Sequence, residues 1–141
     1  MRLLLSICLS QLSGLAIAET YEVKMLNRND SGSMVYDPPY LNVEPGDTVK
    51  FIAKKRGHNA ASIDGMIPVG AEPFKGKTNE EIEVTFEVDG LYGVKCTTHF
   101  AMGMVMLVEV GEPKATMDNT PEDLPRRAAE RFRTYLGHVS Q

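Results

Sequence analysis

Hydrophobic and polar residues alternate with a period of two in several short segments of the chain, which is the pattern of half-buried β-strands. The alternation is regular at residues 20–25 and 82–88, and a largely apolar run at residues 104–110 predicts a mostly buried strand. Turn residues such as Pro45-Gly46 separate these segments. The predicted strands are residues 20–25, 34–36, 40–43, 48–53, 82–88, 91–95 and 104–110.

About seven short strands separated by turns indicate an all-β sandwich or small barrel. Residues 27–33 read as turn material, and residues 57–77 have three Pro/Gly breaks and no clear period. The second segment therefore predicts a long loop, and long loops in small domains are usually functional.

The pattern changes near the C-terminus, where apolar residues recur at helical spacing. Thr120-Pro121-Glu122-Asp123 combines a capping hydroxyl, a proline for the first helical position and acidic residues for the first turn, which predicts a helix that begins there. Gly137 is a plausible end of this helix. Leu124, Ala128, Phe132 and Leu136 fall on one stripe, so we expect the helix to pack on the sandwich.

The first 18 residues read as a secretory signal peptide. Arg2 supplies a short positive region, residues 3–9 are almost wholly apolar, and Ala16-Ile17-Ala18 is a small-x-small site for cleavage before Glu19. Cleavage removes Cys8 and leaves Cys96 unpaired within the chain. In an oxidising compartment such a cysteine forms an intermolecular bridge, is a reactive thiol or binds a metal.

Composition and net charge place few further limits on function. Apolar residues make up 43% of the chain and charged residues 24%, which is ordinary for a globular protein. The formal net charge of −4 argues against general nucleic-acid binding. A basic run at residues 54–56 precedes His58. It indicates either a basic end of the molecule or simply a solvated turn.

Cys96, His99 and Met104 bring a thiolate, an imidazole and a thioether to one short segment after a predicted strand. His58 supplies a second imidazole from an upstream loop, and the neighbouring Asn59 is suited to fix that loop by hydrogen bonds. Two nitrogens, one thiolate and a weak thioether are the ligand set of a blue-copper electron-transfer site.

Other interpretations of these residues remain open. A lone cysteine is often simply a small buried residue, and Met104 alternates with Met102 and Met106 as core methionines do. A nucleophilic enzyme using Cys96 and a histidine would leave the methionines without a role, and no Gly-rich oxyanion motif accompanies them. A carrier that delivers copper is a further alternative. Zinc is disfavoured because a thioether is a poor zinc ligand.

The segments around these residues also resemble a known family. They are His58-Asn59, Tyr92-Gly93-Val94-Lys95-Cys96, His99 and Ala101-Met102-Gly103-Met104. They resemble the pseudoazurins, a branch of the cupredoxins. The Cys-x2-His-x4-Met spacing is shared with plastocyanin, whereas the position of His58, the Ala-Met-Gly-Met ending and the helical extension favour the pseudoazurin branch. The resemblance is looser after Glu112, where pseudoazurins carry two helices.

The resemblance implies a cupredoxin-like Greek-key sandwich at residues 19–112 and a helical extension at residues 113–141 packed on it. It implies a soluble, monomeric, periplasmic electron carrier rather than an enzyme, with one copper ion that cycles between Cu(I) and Cu(II). The acceptor implied is a copper-containing nitrite reductase of denitrification, with an acidic docking surface. The implied copper ligands are His58, Cys96, His99 and Met104.

The resemblance also implies a docking surface around an exposed edge of His99. An apolar patch that includes Met34, Pro38 and Met102 would surround this edge. The basic residues that would ring it are Arg28, Arg56, Lys75, Lys77 and Lys95. Thr98 departs from the family, which usually has proline immediately before the second histidine. The missing ring frees φ and restores an N–H donor beside the ligands, so Thr98 joins Asn59 as a residue expected to tune the site.

Overall fold

Two four-stranded β-sheets with a shared apolar core form the body of the protein. The computed structural model describes Gly14 and residues 17–139 of the 141-residue chain. The predicted signal segment lies almost wholly outside the described residues. The strands are β1 (Thr20–Asn29), β2 (Gly32–Asp37), β3 (Tyr40–Val43), β4 (Asp47–Ile52), β5 (Ala61–Ser62), β6 (Ile82–Phe86), β7 (Gly90–Lys95) and β8 (Val105–Val110).

The strand order is β2-β1-β4-β6 in one sheet and β3-β8-β7-β5 in the other. β1 pairs with β4 and β3 pairs with β8 in parallel, while the other pairings are antiparallel. Adjacent strands that are not consecutive in sequence are typical of the crossover connections in Greek-key folds. The predicted all-β sandwich with a C-terminal helix is therefore confirmed.

Two segments differ from their sequence-based predictions. Residues 27–33 are mostly strand, because β1 continues to Asn29 and β2 begins at Gly32. β5 lies inside the predicted loop at residues 57–77, where Ala61 and Ser62 pair with Lys95 and Val94 of β7. A two-residue strand has no periodicity to detect, since only pairing with β7 defines it.

β8 is buried on both faces, which explains its largely apolar sequence. Met106 and Val108 face the core between the sheets, whereas Val105 and Leu107 contact the C-terminal helix through its buried Phe132. The helix, α1, spans Arg126–Val139. It thus covers the outer face of one sheet, as predicted.

α1 begins at Arg126, so the predicted start at Thr120 is wrong. The hydroxyl of Thr120 donates instead to the carbonyl of Met117, at the end of a 3₁₀ turn that spans Met117–Asn119. The first α-helical bond runs from the N–H of Ala129 to the carbonyl of Pro125. The helix also continues past Gly137.

A buried carboxylate on β8 holds the connection to α1. Glu109 accepts hydrogen bonds from the backbone N–H groups of Lys114 (2.6 Å) and Ala115 (2.8 Å) and from the hydroxyl of Tyr40 (3.0 Å). These donors compensate its burial. Within the described residues, no helix is long and apolar enough to span a membrane.

Removal of the Phe132 side chain tests whether α1 is part of the same folding unit as the sandwich. We expect Phe132→Ala to lower the free energy of unfolding by about 3–5 kcal/mol, because a fully buried ring is lost from the contact with β8. Urea denaturation followed by circular dichroism measures this change. The exposed Arg133 provides the control, and Arg133→Ala should change stability by less than about 0.5 kcal/mol. A Phe132→Ala protein as stable as the wild type would show that α1 contributes no packing energy.

Candidate metal centre

Three potential ligand side chains from two loops converge at one end of the sandwich. Nδ1 of His99 lies 3.4 Å from Sγ of Cys96, and Nδ1 of His58 lies 3.9 Å from the same sulfur. The donor atoms of all three residues lie within 4.8 Å of one another. One thiolate and two imidazoles without a carboxylate are a donor set suited to copper. The observed cluster therefore fits a copper ion.

The loop that carries Cys96 and His99 is closed by its own backbone. The N–H of Met104 donates to the carbonyl of His99 (3.1 Å), and the N–H of Cys96 donates to the carbonyl of Met104 (3.0 Å). Gly103 makes the last turn with a φ of 86°, in the left-handed region that favours glycine. Cys96 and Met104 are consequently backbone neighbours at the base of the loop.

The three methionines near this loop have different environments. Met104 is fully buried at the base of the loop, Met106 lies in the core between the sheets, and Met102 is 41% exposed. The resemblance to pseudoazurins selected Met104 as the fourth ligand. Its burial beside the backbone of Cys96 is compatible with that prediction.

His58 is held in one orientation by a residue that the sequence analysis did not single out. Its Nε2 lies 2.7 Å from Oδ1 of Asn27 on β1. Because a carboxamide oxygen only accepts, Nε2 carries the hydrogen and Nδ1 presents its lone pair toward Cys96. Burial, followed by the nearby His99, lowers the pKa of His58, which favours the neutral imidazole that binds metals. The sequence did not single out Asn27, because asparagine is common in turns and residues 27–33 were predicted to form one.

The carboxamide of Asn59 joins the His58 loop to the Cys96 loop. Its Oδ1 accepts from the N–H of Thr97 (2.8 Å), and its Nδ2 donates to the Thr97 hydroxyl and to the carbonyl of Gly76 (both 3.0 Å). The carbonyl of Asn59 accepts from the hydroxyl of Tyr36 (2.6 Å). Burial raises the pKa of Tyr36 well above its usual value, so this hydroxyl remains a neutral donor.

The sequence analysis expected Asn59 to hold this loop and Thr98 to tune the site. The hydrogen bonds from Asn59 go to Thr97, which the sequence analysis did not name. Thr98 is exposed. Thr97 follows Cys96 and Thr98 precedes His99, so the sequence does not distinguish these two threonines, and only the loop geometry decides which one bonds to Asn59.

His99 is the half-buried member of the cluster, whereas His58 and Cys96 are almost completely buried. The ring centroids of the two histidines are 5.0 Å apart. Among the residues predicted to form the apolar patch, Met34 and Pro38 are half-buried and Met102 is exposed. The cluster therefore reaches the surface at His99.

Two of the predicted docking lysines lie on either side of Ala61. Lys95 pairs with Ala61 in the β7–β5 ladder, and Lys75 bridges to Ala61 from the other side. Both line a groove of about 330 Å³ that also contains Phe74 and Thr97. Nζ of Lys95 lies 5.0 Å from the ring centroid of Phe100, next to His99.

The other predicted docking residues are exposed and lie on different segments. Arg28 pairs with Ser33 in the β1–β2 ladder. Arg56 and Lys77 flank the His58 loop, where the N–H of Asn79 donates to the carbonyl of His58 (2.8 Å). The structure thus brings Lys75 and Lys95 together in one groove and places Arg56 and Lys77 beside the other ligand loop.

Removal of the Asn59 side chain tests the bridge between the two ligand loops. We expect Asn59→Ala to reduce copper affinity about 10–100-fold, because the loops that carry His58 and Cys96 lose their shared contact. Competition with a chromophoric chelator measures this affinity. Asn42→Ala is the control, since the Asn42 carboxamide also donates to two carbonyls, those of Glu109 and Gly111, at the far end of β8. Equal affinity in the two variants would contradict the role of Asn59.

The chain is similar to known proteins over most of its length. A family model described as copper binding proteins, plastocyanin/azurin family, matches residues 23–111. A pseudoazurin of Paracoccus pantotrophus is 44% identical over 124 residues, which cover 87% of this chain and 86% of the relative.

Solved structures show the same similarity. The pseudoazurin of Methylobacterium extorquens AM1 has a TM-score of 0.79 and 36% identity, and the match covers 85% of this chain and 98% of that one. The native pseudoazurin of Hyphomicrobium denitrificans has a TM-score of 0.78 and 38% identity, with 86% and 99% covered. His58, Cys96 and His99 form a cluster suited to copper, and the chain belongs to the plastocyanin/azurin family of copper-binding proteins as a pseudoazurin-type cupredoxin.

Proposed function

We propose that this protein is a soluble periplasmic electron carrier that binds one copper ion through His58, Cys96, His99 and Met104. The observation that carries the proposal is the convergence of a buried thiolate with two imidazoles, of which one is half-exposed. Copper, when bound, supplies a one-electron couple between Cu(I) and Cu(II). The family membership and the pseudoazurin relatives support this role.

In this role the polypeptide fixes the positions of the donor side chains and excludes water from them. Asn27 orients His58, and Asn59 ties the two ligand loops together. Because these contacts are already present in the chain, the donors are preorganised and need little rearrangement when the charge at the site changes. His99 provides the short path between the buried site and a partner at the surface.

Two other functions are separable from this one by experiment. A nucleophilic enzyme would need an accessible Cys96, whereas its side chain is fully buried. Stoichiometric inactivation of the copper-loaded protein by iodoacetate would support that alternative. A copper-delivery protein would release its metal during use. Repeated oxidation and reduction without loss of copper would exclude delivery as the main function.

The visible spectrum of the copper-loaded protein tests the ligand assignment. We expect an intense thiolate-to-Cu(II) band that Cys96→Ser abolishes, because the band requires a cysteine sulfur bonded to copper. Met104→Leu should retain copper and the band but shift the reduction potential, since a thioether is the weak ligand of such sites. Met106→Leu is the matched control, because Met106 lies in the core and should leave the potential unchanged. Absence of the band in the wild type would overturn the proposed function.

The proposed electron acceptor is a copper-containing nitrite reductase with an acidic docking surface. This protein would bind it as a monomer. The resemblance to pseudoazurins supplies this partner. Lys75 and Lys95 support it, because their two positive charges outnumber the one carboxylate of the groove, Asp64. The groove also contains the apolar Phe74 and extends to Thr97 beside the Cys96 ligand. Complementary charge of this kind raises association rates while the contact stays brief.

Charge reversal in the groove tests the docking surface. We expect Lys75→Glu/Lys95→Glu to lower the second-order rate of electron transfer to the reductase at least about tenfold at low ionic strength, because steering of an acidic partner is lost. Stopped-flow kinetics at several salt concentrations measure the effect, which should shrink as salt rises. Lys114→Glu/Arg133→Glu makes the same charge change in the separate groove beside α1. An equal loss in both double variants would indicate an effect of net charge rather than of docking.

A further inference from the structure

We propose that Arg131 of α1 is a positioning residue for the Met104 side of the metal centre, an inference that rests on the proposed function of Met104. Arg131 is half-buried. Its guanidinium donates to three backbone carbonyls on two different segments. Nη1 donates to the carbonyls of Gly103 and Met34, and Nη2 donates to the carbonyl of Ser33, each at 2.6 Å.

The carbonyl of Gly103 belongs to the peptide group that leads into Met104. The N–H of the same peptide group donates to the carbonyl of His99 (3.1 Å). Arg131 and His99 therefore hold one peptide plane from its two ends. Since the next carbonyl, that of Met104, accepts from the N–H of Cys96, the orientation of this plane is linked to three residues of the ligand set.

The backbone of α1 reinforces the same contact. A Cβ atom at Gly103 would lie 3.1 Å from both Cβ and the carbonyl oxygen of Arg127, so the helix packs directly against the Met104 loop. Phe132, next to Arg131 in sequence, is fully buried against β8 and holds the helix in place. The guanidinium thus acts from a rigid support, and it brings a charge-assisted hydrogen bond to a loop that has no Asp, Glu, Lys or Arg between Cys96 and Met104.

The other two carbonyls belong to the start of β2. Met34 has a φ of 52°, in the left-handed region that is uncommon for residues other than glycine. Arg131 satisfies its carbonyl and that of Ser33 in this conformation. One side chain therefore holds the Met104 loop and the Met34 segment against each other, which couples the ligand loop to a residue of the proposed docking patch.

Arginine is suited to this position because its planar guanidinium presents several N–H groups in a fixed arrangement. Lysine retains the charge but concentrates it on one nitrogen at the end of a shorter chain. The two substitutions Arg131→Lys and Arg131→Met therefore separate geometry from charge. A geometric role predicts that both substitutions disturb the Met104 peptide, whereas a role of charge alone predicts that only Arg131→Met does.

Amide hydrogen exchange of the metal-free protein, followed by NMR, tests this inference directly. We expect the N–H of Met104 to exchange about tenfold or more faster in both Arg131 variants, because its peptide group loses the guanidinium contact and opens locally. The N–H of Leu107, which bonds to the carbonyl of Pro39 in the sheet, reports global stability and serves as the internal reference. Arg133→Met, an exposed arginine two residues along the helix, should leave Met104 exchange unchanged relative to Leu107.

The second test uses the copper-loaded variants, for which the visible spectrum and the reduction potential are measured. Both Arg131 variants should retain the thiolate band but differ from the wild type in potential, while Arg133→Met should not. Met104 exchange that changes only in parallel with Leu107, with an unchanged potential, would show that Arg131 merely anchors the helix. Wild-type behaviour of Arg131→Lys would likewise overturn the geometric role. Hydrogen exchange is measured on the metal-free protein. It therefore tests the role of Arg131 independently of the visible spectrum, whose absence in the wild type would refute the proposed function.

Discussion

The carboxamide of Asn59 is the contact on which the arrangement of the metal centre depends. Its two hydrogen bonds with Thr97 join the loop that carries His58 to the loop that carries Cys96, and a third, to the carbonyl of Gly76, completes the use of both its polar atoms. A buried carboxamide is stabilising only when it is satisfied in this way, since an unpaired polar atom in the interior is costly. The same bonds that satisfy Asn59 therefore also fix the separation of the two ligand loops.

The two histidines serve one site in different ways because their environments differ. His58 is buried, and Asn27 fixes its tautomer, so it holds its donor atom in place. His99 lies at the half-exposed end of a loop that is closed through Met104. This asymmetry is what a small electron carrier requires, since its metal must be shielded from water and yet lie close to a partner.

The helical extension contacts the loop of Met104 as well as the sandwich. Sequence alone predicted that the apolar stripe with Ala128 and Phe132 would pack on the sandwich, because amphipathic spacing is a local property. It placed the start of the helix too early, since Thr120 can cap either an α-helix or the 3₁₀ turn that forms before it. Nothing in the sequence indicated that Arg131 would reach the loop of Met104, because its three acceptors are backbone carbonyls and every residue has one.

The sequence by itself determined the alternating strands, the apolar β8 and the set of donor side chains, because periodicity and residue chemistry are written in the order of residues. Cys96, His99, Met104 and His58 together predicted a metal site from residue chemistry. The tertiary structure decided which neighbours contact the cluster and its loops, namely Asn27 on β1, Thr97 beside Cys96, and Arg131 on α1. These contacts join segments that are distant in the chain, so they exist only once the two sheets and the helix have packed.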